Sequence, residues 1–523
     1  MANKNLFATI AGKLAPKTTA MNEAGGRAYA LTPKQALAQY AATGCLSGTF
    51  YATAADQLAE VLGLCAQIES EFIARTAVYC REQSFMKDMP ALLCAVLTTR
   101  HPALLREIFP RVIDNAKMLR NFVQILRSGV VGRKSLGTAP KRMVRNWLEA
   151  RSDDALFRDS VGQSPSIVDV VKMVHPKPMA KEREALYGYL IGRPHDAAKL
   201  PRLVNEYEAF RKGASLDVPD VPFQMLTSLE LSDAAWIEIA RKAPWQMTRM
   251  NLNTFARHNV FANEEVTKMI ATRLADPAAI RKARVFPYQL MTAYMAAGET
   301  VPRIVRDALQ DAMEIATENV PSIEGTVYVC PDVSGSMASP VTGHRTGATS
   351  VVRCIDVAAL VAASIVRKNP AAAVLPFSTD VVDVDLNARD SVMTNAQKLA
   401  AIGGGGTTCS APLAKLNERK AAGDLVIFVS DNESWADPQH GRGTEMMKEW
   451  NAFKQRNPNA RLVCIDIQPY GTTQAAERED VLNIGGFNDS VFDLVTHFAA
   501  GRLTPGHWVD VIESIALGES AVA

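Results

Sequence analysis

From Thr32 to about residue 320, apolar side chains recur every three or four positions in runs of 10 to 16 residues. That spacing lays one apolar stripe along an α-helix. It predicts helices such as Ala54 to Glu69, Glu71 to Ser84, Pro90 to Thr99, Ala103 to Asn115, Met118 to Ser128, Lys141 to Ala150, Pro201 to Lys212, Asp233 to Lys242, Glu264 to Leu274 and Pro302 to Ile315. A further helix starts at Thr32-Pro33, where proline suits the first turn. Gly, Pro and Ser-Asp signals separate the runs, and strand signals are almost absent. Consecutive helices with short links predict an α-solenoid of paired helices, although no exact repeat is visible.

The period changes at Thr326. Short apolar, β-branched runs at Thr326 to Cys330, Ala373 to Phe377, Val381 to Val384, Leu425 to Ser430 and Leu462 to Ile467, with a short one near Ser490, predict strands. Between them, helical patterns fall at about Val351 to Lys368, Thr394 to Ala401, Pro412 to Ala421, Thr444 to Gln455 and Asp493 to Ala500. Alternating strand and helix predicts a doubly wound, Rossmann-like α/β sheet. The fold class expected is therefore multidomain: an all-α helical-repeat part, then an α/β part. The divisions expected are an arm at 1–20, a helical domain at 21–320 and an α/β domain at 321–523. A chain of 523 residues is too long for one core in any case.

Composition adds limits. Apolar residues make up 48% of the chain, yet no run of about 18 of them occurs, and the first residues lack a long apolar core before a small-residue cleavage site. A soluble, cytoplasmic protein is expected. The eight cysteines (45, 65, 80, 94, 330, 354, 409, 464) form no C-x-x-C pair and sit mostly in apolar runs, which suits reduced, buried thiols. No H-x-x-x-H pair occurs among the eight histidines.

The net charge of +2 conceals an asymmetry. Residues 1–320 hold 41 Lys and Arg against 32 Asp and Glu, whereas residues 321–523 hold 16 against 23. Residues 100–151 alone carry twelve basic side chains, among them Arg133, Lys134, Lys141, Arg142 and Arg145, against three acidic ones. Such concentration is the footprint of a phosphate-binding surface, the alternative being a solvated helix face.

Metal-grade oxygens cluster in the α/β part. Asp332, Ser334 and Ser336 follow the strand run Thr326 to Cys330 at alternate positions. The glycines at 403–406 precede Thr407 and Thr408, and the run Leu425 to Ser430 leads into Asp431. A D-x-S-x-S turn at a strand's carboxyl end can aim one carboxylate and two hydroxyls at a single point. A hard cation such as Mg2+ prefers about six oxygens at about 2.0–2.1 Å and keeps waters or foreign ligands where the protein supplies too few. By itself D-x-S-x-S also reads as an ordinary Asx or Ser turn. The three elements together resemble the metal-ion-dependent adhesion site of a von Willebrand factor A domain. The resemblance implies that the two serines and the threonine reach Mg2+ or Mn2+, that the aspartates act largely through water, and that a partner's carboxylate takes the open position.

The helical part carries its own resemblance. NEAGG near 22, GTFY near 48–51, GVVGRKSLGTAPKRMVRNW at 129–147, DVVKMVHPKP at 169–178 and KARVFPY at 282–288, with VSDNESW at 429–435, resemble the TROVE domain proteins of the Ro autoantigen family. That family implies a ring of HEAT-like helical repeats closed by the von Willebrand A domain. It further implies small noncoding Y RNA on an outer basic surface and single-stranded 3′ ends of misfolded RNA in a central hole; a monomer is expected. Its bacterial members partner with polynucleotide phosphorylase or sit beside RNA-repair enzymes. The histidine of the Y-RNA surface falls on His175, a basic position falls on Arg158, and a second basic position falls on Gly162, a departure from the pattern. Lys172 and Lys177 flank His175; a helix-end structural role is the other reading of His175. Arg249 and Arg257, in TRMNLNTFAR, are candidates for the inner wall, although the asparagines there also suit helix caps.

Two rivals follow. A nuclease would use Asp332, Asp356, Asp431 and Glu433, but two-metal chemistry needs several direct carboxylates around ions about 3.5–4 Å apart, and a hydroxyl-rich set offers little charge to a second ion. No enzyme is therefore expected. A metal-dependent protein-interaction scaffold without RNA fits the open metal position but leaves the basic cluster unused.

Overall fold

The computed structural model describes residues 18–22, 24–43, 53–162, 165–215, 217–283, 285, 287–318, 320, 322–341, 352–431, 433–437, 443–485, 490–501 and 507–518. Cys45, GTFY and most of the expected arm lie outside them. The chain packs as two compact units. One gathers the described residues up to Gln67 with Leu274–Gly298 and Arg306–Ser514; the other gathers Ile68–Arg273, Glu299–Val305 and the residues from Ile515.

The second unit is built of helices whose ends follow from local sequence. Asn115 accepts from the Met118 N–H and opens the helix Ala116–Ser128, which Gly129 closes at φ 90°. Its Phe122 meets Phe109 edge to face. Trp147, on the helix Thr138–Ala150, donates to the Ile113 carbonyl at 2.6 Å. The helix Ile167–Val174 opens on a capping box, with Ser166 and Asp169 satisfying each other's backbone N–H.

The first unit holds the α/β sheet. Strands β3 (Val327–Pro331), β4 (Ala373–Val374), β5 (Leu425–Ser430), β6 (Arg461–Asp466) and β8 (Val481–Gly485) pair in parallel in the order β4-β3-β5-β6-β8. The fully buried strand β5 runs through the middle, and the apolar helix Cys354–Lys368 covers one face. Strand order reverses between β3 and β5. The loops leaving those two strands diverge there, which opens a crevice at their carboxyl ends.

Three expectations change. Val381–Val384 forms no strand, and only Val381 bridges, to Phe377. The last strand is Val481–Gly485, and Ser490 instead begins the helix Ser490–Ala499. Third, two short strands lie in the stretch read as arm and helical domain: β1 (Ala20–Met21) and β2 (Arg27–Ala30) form a hairpin. Strand β2 pairs in turn with β7 (Thr472–Thr473), and Tyr29 sits in the α/β core with Phe428 and Trp450. That burial is worth about 2 kcal/mol. Packing therefore groups the described residues between 18 and 67 with the α/β fold, although they precede the other helices in sequence. All seven described cysteines are free and buried.

Candidate metal centre and basic surface

Asp332 is the first residue past β3, and Asp431 the first past β5. The register sets Pro331 opposite Val429, so Asp332 donates its N–H to the Val429 carbonyl at 2.9 Å. Its carboxylate is held from both sides, by the Ser430 hydroxyl at 2.6 Å and the Ser334 N–H at 2.8 Å. Ser334 and Ser336 place their hydroxyls 3.2 Å apart. Ser336 also hydrogen-bonds the Asp431 carboxylate, which accepts the Glu433 N–H at 3.2 Å.

The glycine loop is laced to this turn. Gly335 donates to the Gly405 carbonyl, and Gly404 to the Val333 carbonyl. Three successive residues, Gly403, Gly404 and Gly405, have positive φ, which explains the glycine run. Thr407 follows, buried, and its carbonyl accepts the N–H groups of Trp435 and Ala436, from the loop after Asp431. The structure thus brings Asp332, Ser334, Ser336, Thr407 and Asp431 to one end of the sheet.

Its electrostatics are those of two buried carboxyls in one pocket. Burial first, and the Asp431 charge second, push the Asp332 carboxyl up to about 7; burial also raises Asp431. A divalent cation would relieve both carboxylates, and the hydroxyl oxygens suit Mg2+ or Mn2+ rather than a soft metal. Among the described residues no three His, Cys, Asp or Glu side chains converge on a point. Asp356 stands apart: its carboxylate accepts from the Arg353 N–H and guanidinium at the start of the helix Cys354–Lys368. Ser430 was not legible as a site residue, although it immediately precedes Asp431.

In the helical unit the basic side chains sort into two kinds. Lys134 and Arg142 are exposed and Lys141 is half-buried, whereas Arg133 donates to the Thr98 carbonyl and Arg145 to the Val174 carbonyl. Val174 ends the helix Ile167–Val174, and His175 caps it in the left-handed region at φ 49°, ψ 64°. Lys172, His175 and Lys177 are all exposed around that cap. Arg158 pairs with Asp220 at 2.6 Å, an exposed ion pair that a phosphate could replace at little cost. Arg120 comes from the neighbouring helix, and a Cβ at Gly162 would meet its Nη1 at 2.1 Å. A guanidinium therefore lies where position 162 has no side chain. Sequence reasoning missed Arg120 because the helix carrying it is more than thirty residues away in the chain.

The expected inner-wall pair separates. Arg257 is exposed and donates to the Thr254 hydroxyl. Arg249 is only 9% exposed, with its guanidinium 6.0 Å from the Trp245 ring centre, so it is not an exposed cation for a passing strand.

A family model described as the TROVE domain matches residues 133–327, and one described as the Ro60 vWA domain matches residues 327–499. Helices of TROVE type followed by a von Willebrand A sheet define the class of protein. Across both parts the chain is similar to proteins of the Ro autoantigen family. It is 24% identical to the RNA-binding protein RO60 of Deinococcus radiodurans, with 96% of this chain and 100% of that protein covered. It is 22% identical to the RNA-binding protein RO60 of Caenorhabditis elegans over 46% of this chain and 38% of that one. The crystal structure of the Deinococcus radiodurans RO (RSR) protein shares the fold, with a TM-score of 0.61 at 20% identity over 90% of this chain and all of that one.

Proposed function

We propose that this protein is a noncatalytic RNA-binding protein, the core of a small cytoplasmic ribonucleoprotein. Its exposed cations around the His175 cap bind a small structured RNA of the Y type, and single-stranded 3′ ends of misfolded RNA bind separately, with Arg257 among the contacts. It acts in RNA quality control, degradation or repair beside an exoribonuclease such as polynucleotide phosphorylase or RNA-repair enzymes. The observation that carries this reading is the arrangement of Lys172, His175 and Lys177 on one capped helix end, braced from behind by Arg145 so that the cations face solvent. Lysine and arginine supply sequence-independent phosphate affinity, while folded RNA is read by shape and backbone. The similarity to RNA-binding proteins RO60 and the TROVE match support RNA as the ligand.

At the α/β end, Ser334, Ser336 and Thr407 would hold a divalent cation, with Asp332 and Asp431 balancing its charge. Bound there, the ion would offer an open coordination position to a partner's carboxylate. Asp332 and Asp431 orient the hydroxyls and keep the pocket anionic. The engagement of Asp356 in a helix cap leaves few carboxylates for two-metal hydrolysis. No helix among the described residues is long and apolar enough to cross a membrane. Purification from cells tests the reading: RNA should co-purify and be released by high salt. RNA-free protein that binds neither hairpin nor single-stranded RNA would leave the metal-dependent scaffold as the better account.

A further inference from the structure

The turn carrying Asn22, Ala24 and Gly26 has no part in RNA binding as proposed above, yet it lies against the loop that follows Asp431. Asn22 is buried and donates its side-chain amide to the Ser434 carbonyl at 3.0 Å. The Ala24 N–H donates to the Glu433 carboxylate at 3.1 Å. Gly26 approaches so closely that a Cβ would come within 2.0 Å of the Ser434 carbonyl oxygen. The Asn22 side-chain oxygen accepts the Gly26 N–H at 2.6 Å and shapes the turn, and strands β1 and β2 anchor it behind.

The gripped loop reaches two of the five candidate ligands. The Glu433 N–H holds the Asp431 carboxylate at 3.2 Å. The N–H groups of Trp435 and Ala436 hold the Thr407 carbonyl at 3.2 and 3.1 Å, and the Ser434 hydroxyl accepts the Cys409 N–H at 3.1 Å. Glu433 and Ser434 are themselves almost fully buried.

We infer that the Asn22–Gly26 turn is a positioning element of the cation site: by fixing the Glu433–Ser434 peptide it sets Asp431 and Thr407 at the separation one divalent ion requires. The inference rests on the reading of Asp332, Ser334, Ser336, Thr407 and Asp431 as that site. The turn supplies none of the five candidate ligands; it acts through the loop, as outer-shell groups do when they orient ligands.

The test uses the full chain as wild type, Asp332→Ala, Asn22→Ser and Gly26→Ala. Asn22→Ser keeps a short acceptor for the Gly26 N–H and removes the donor to Ser434. Mn2+ affinity is read by calorimetry, the ion's surroundings by its paramagnetic resonance spectrum, and folding by thermal unfolding. Expected are folded Asn22→Ser protein with Mn2+ affinity about 10- to 100-fold weaker, a broadened spectrum, and no binding in Asp332→Ala. Gly26→Ala should behave like Asn22→Ser; if it unfolds, Asn22→Ser decides alone. Wild-type affinity in folded Asn22→Ser overturns the inference and leaves the cation site standing. If the wild type binds no Mn2+, the site reading fails. Amide exchange in metal-free protein then decides separately: the Glu433, Trp435 and Ala436 amides should exchange faster in Asn22→Ser, and unchanged exchange shows that the turn does not hold the loop.

Discussion

Arg142 and Arg145 lie three residues apart on one helix, and sequence alone gives them the same role. Their surroundings predict opposite behaviour. Arg145 makes a charge-assisted bond to the Val174 carbonyl, worth about 1.5–3 kcal/mol. The carbonyl it holds immediately precedes His175, whose left-handed backbone costs about 1–2 kcal/mol. Loss of the clamp thus removes an energy comparable to the strain it offsets, and each 1.4 kcal/mol is about tenfold in population. Arg145→Ala should lower unfolding stability by about 1.5–3 kcal/mol, weaken structured-RNA binding, and leave the slope of log affinity against log salt almost unchanged. Arg142→Ala should stay within about 0.5 kcal/mol of wild type in stability. If it contacts phosphate, it should flatten the salt slope by about 0.7–0.9. Urea unfolding and fluorescence anisotropy with labelled RNA at several salt concentrations measure both. Equal stability losses in the two variants, or a flattened slope only in Arg145→Ala, would refute this division of labour.

The Asp332 carboxyl is raised from 3.8 to about 7, so between those values the native state binds more protons than the unfolded chain. Metal-free protein should therefore lose stability as pH rises through that window, and the Tm gain from Mg2+ should grow from pH 5 to pH 8; a gain independent of pH would remove these carboxylates from the site. His175→Val, β-branched in a left-handed position, should cost about 1–2 kcal/mol more than His175→Asn in thermal unfolding, and equal stabilities would mean the cap relaxes. Arg249→Ala should lower stability by about 1–3 kcal/mol as a buried group, whereas Arg257→Ala should leave stability intact and weaken binding of a short single strand. The reverse result in paired unfolding and anisotropy measurements would place Arg249 at the surface.

Much of the candidate cation site's arrangement was legible because its pattern is local. D-x-S-x-S follows its strand directly, Asp431 follows its own, and the three positive-φ glycines announce themselves as a glycine run. The β1–β2 hairpin was not legible. Two and four residues carry no period, and the partner Thr472–Thr473 lies over four hundred positions away. Strand β8 reads VLNIG, where Asn483 and Gly485 dilute the strand signal, so the expectation slid toward the apolar residues of the following helix. Charge counting marked residues 100–151 as basic but could not distinguish solvent-facing Arg142 from bracing Arg133 and Arg145, because the carbonyls they hold belong to other helices. Arg249 misled for a related reason: its helix, Trp245–Met250, is too short to define an apolar face.

The central claim is that the His175 cap is the contact for folded RNA. The measurement that tests it most directly is a pair of anisotropy titrations, with a small hairpin RNA and with a short unpaired strand, on wild type and on Lys172→Ala/His175→Asn/Lys177→Ala. Asparagine at 175 retains the left-handed cap, so the backbone stays in place. The account predicts a large loss of affinity for the hairpin, a shallower salt dependence, and little change for the unpaired strand. Unchanged hairpin affinity in the folded triple variant, or equal loss for both RNAs, would contradict it.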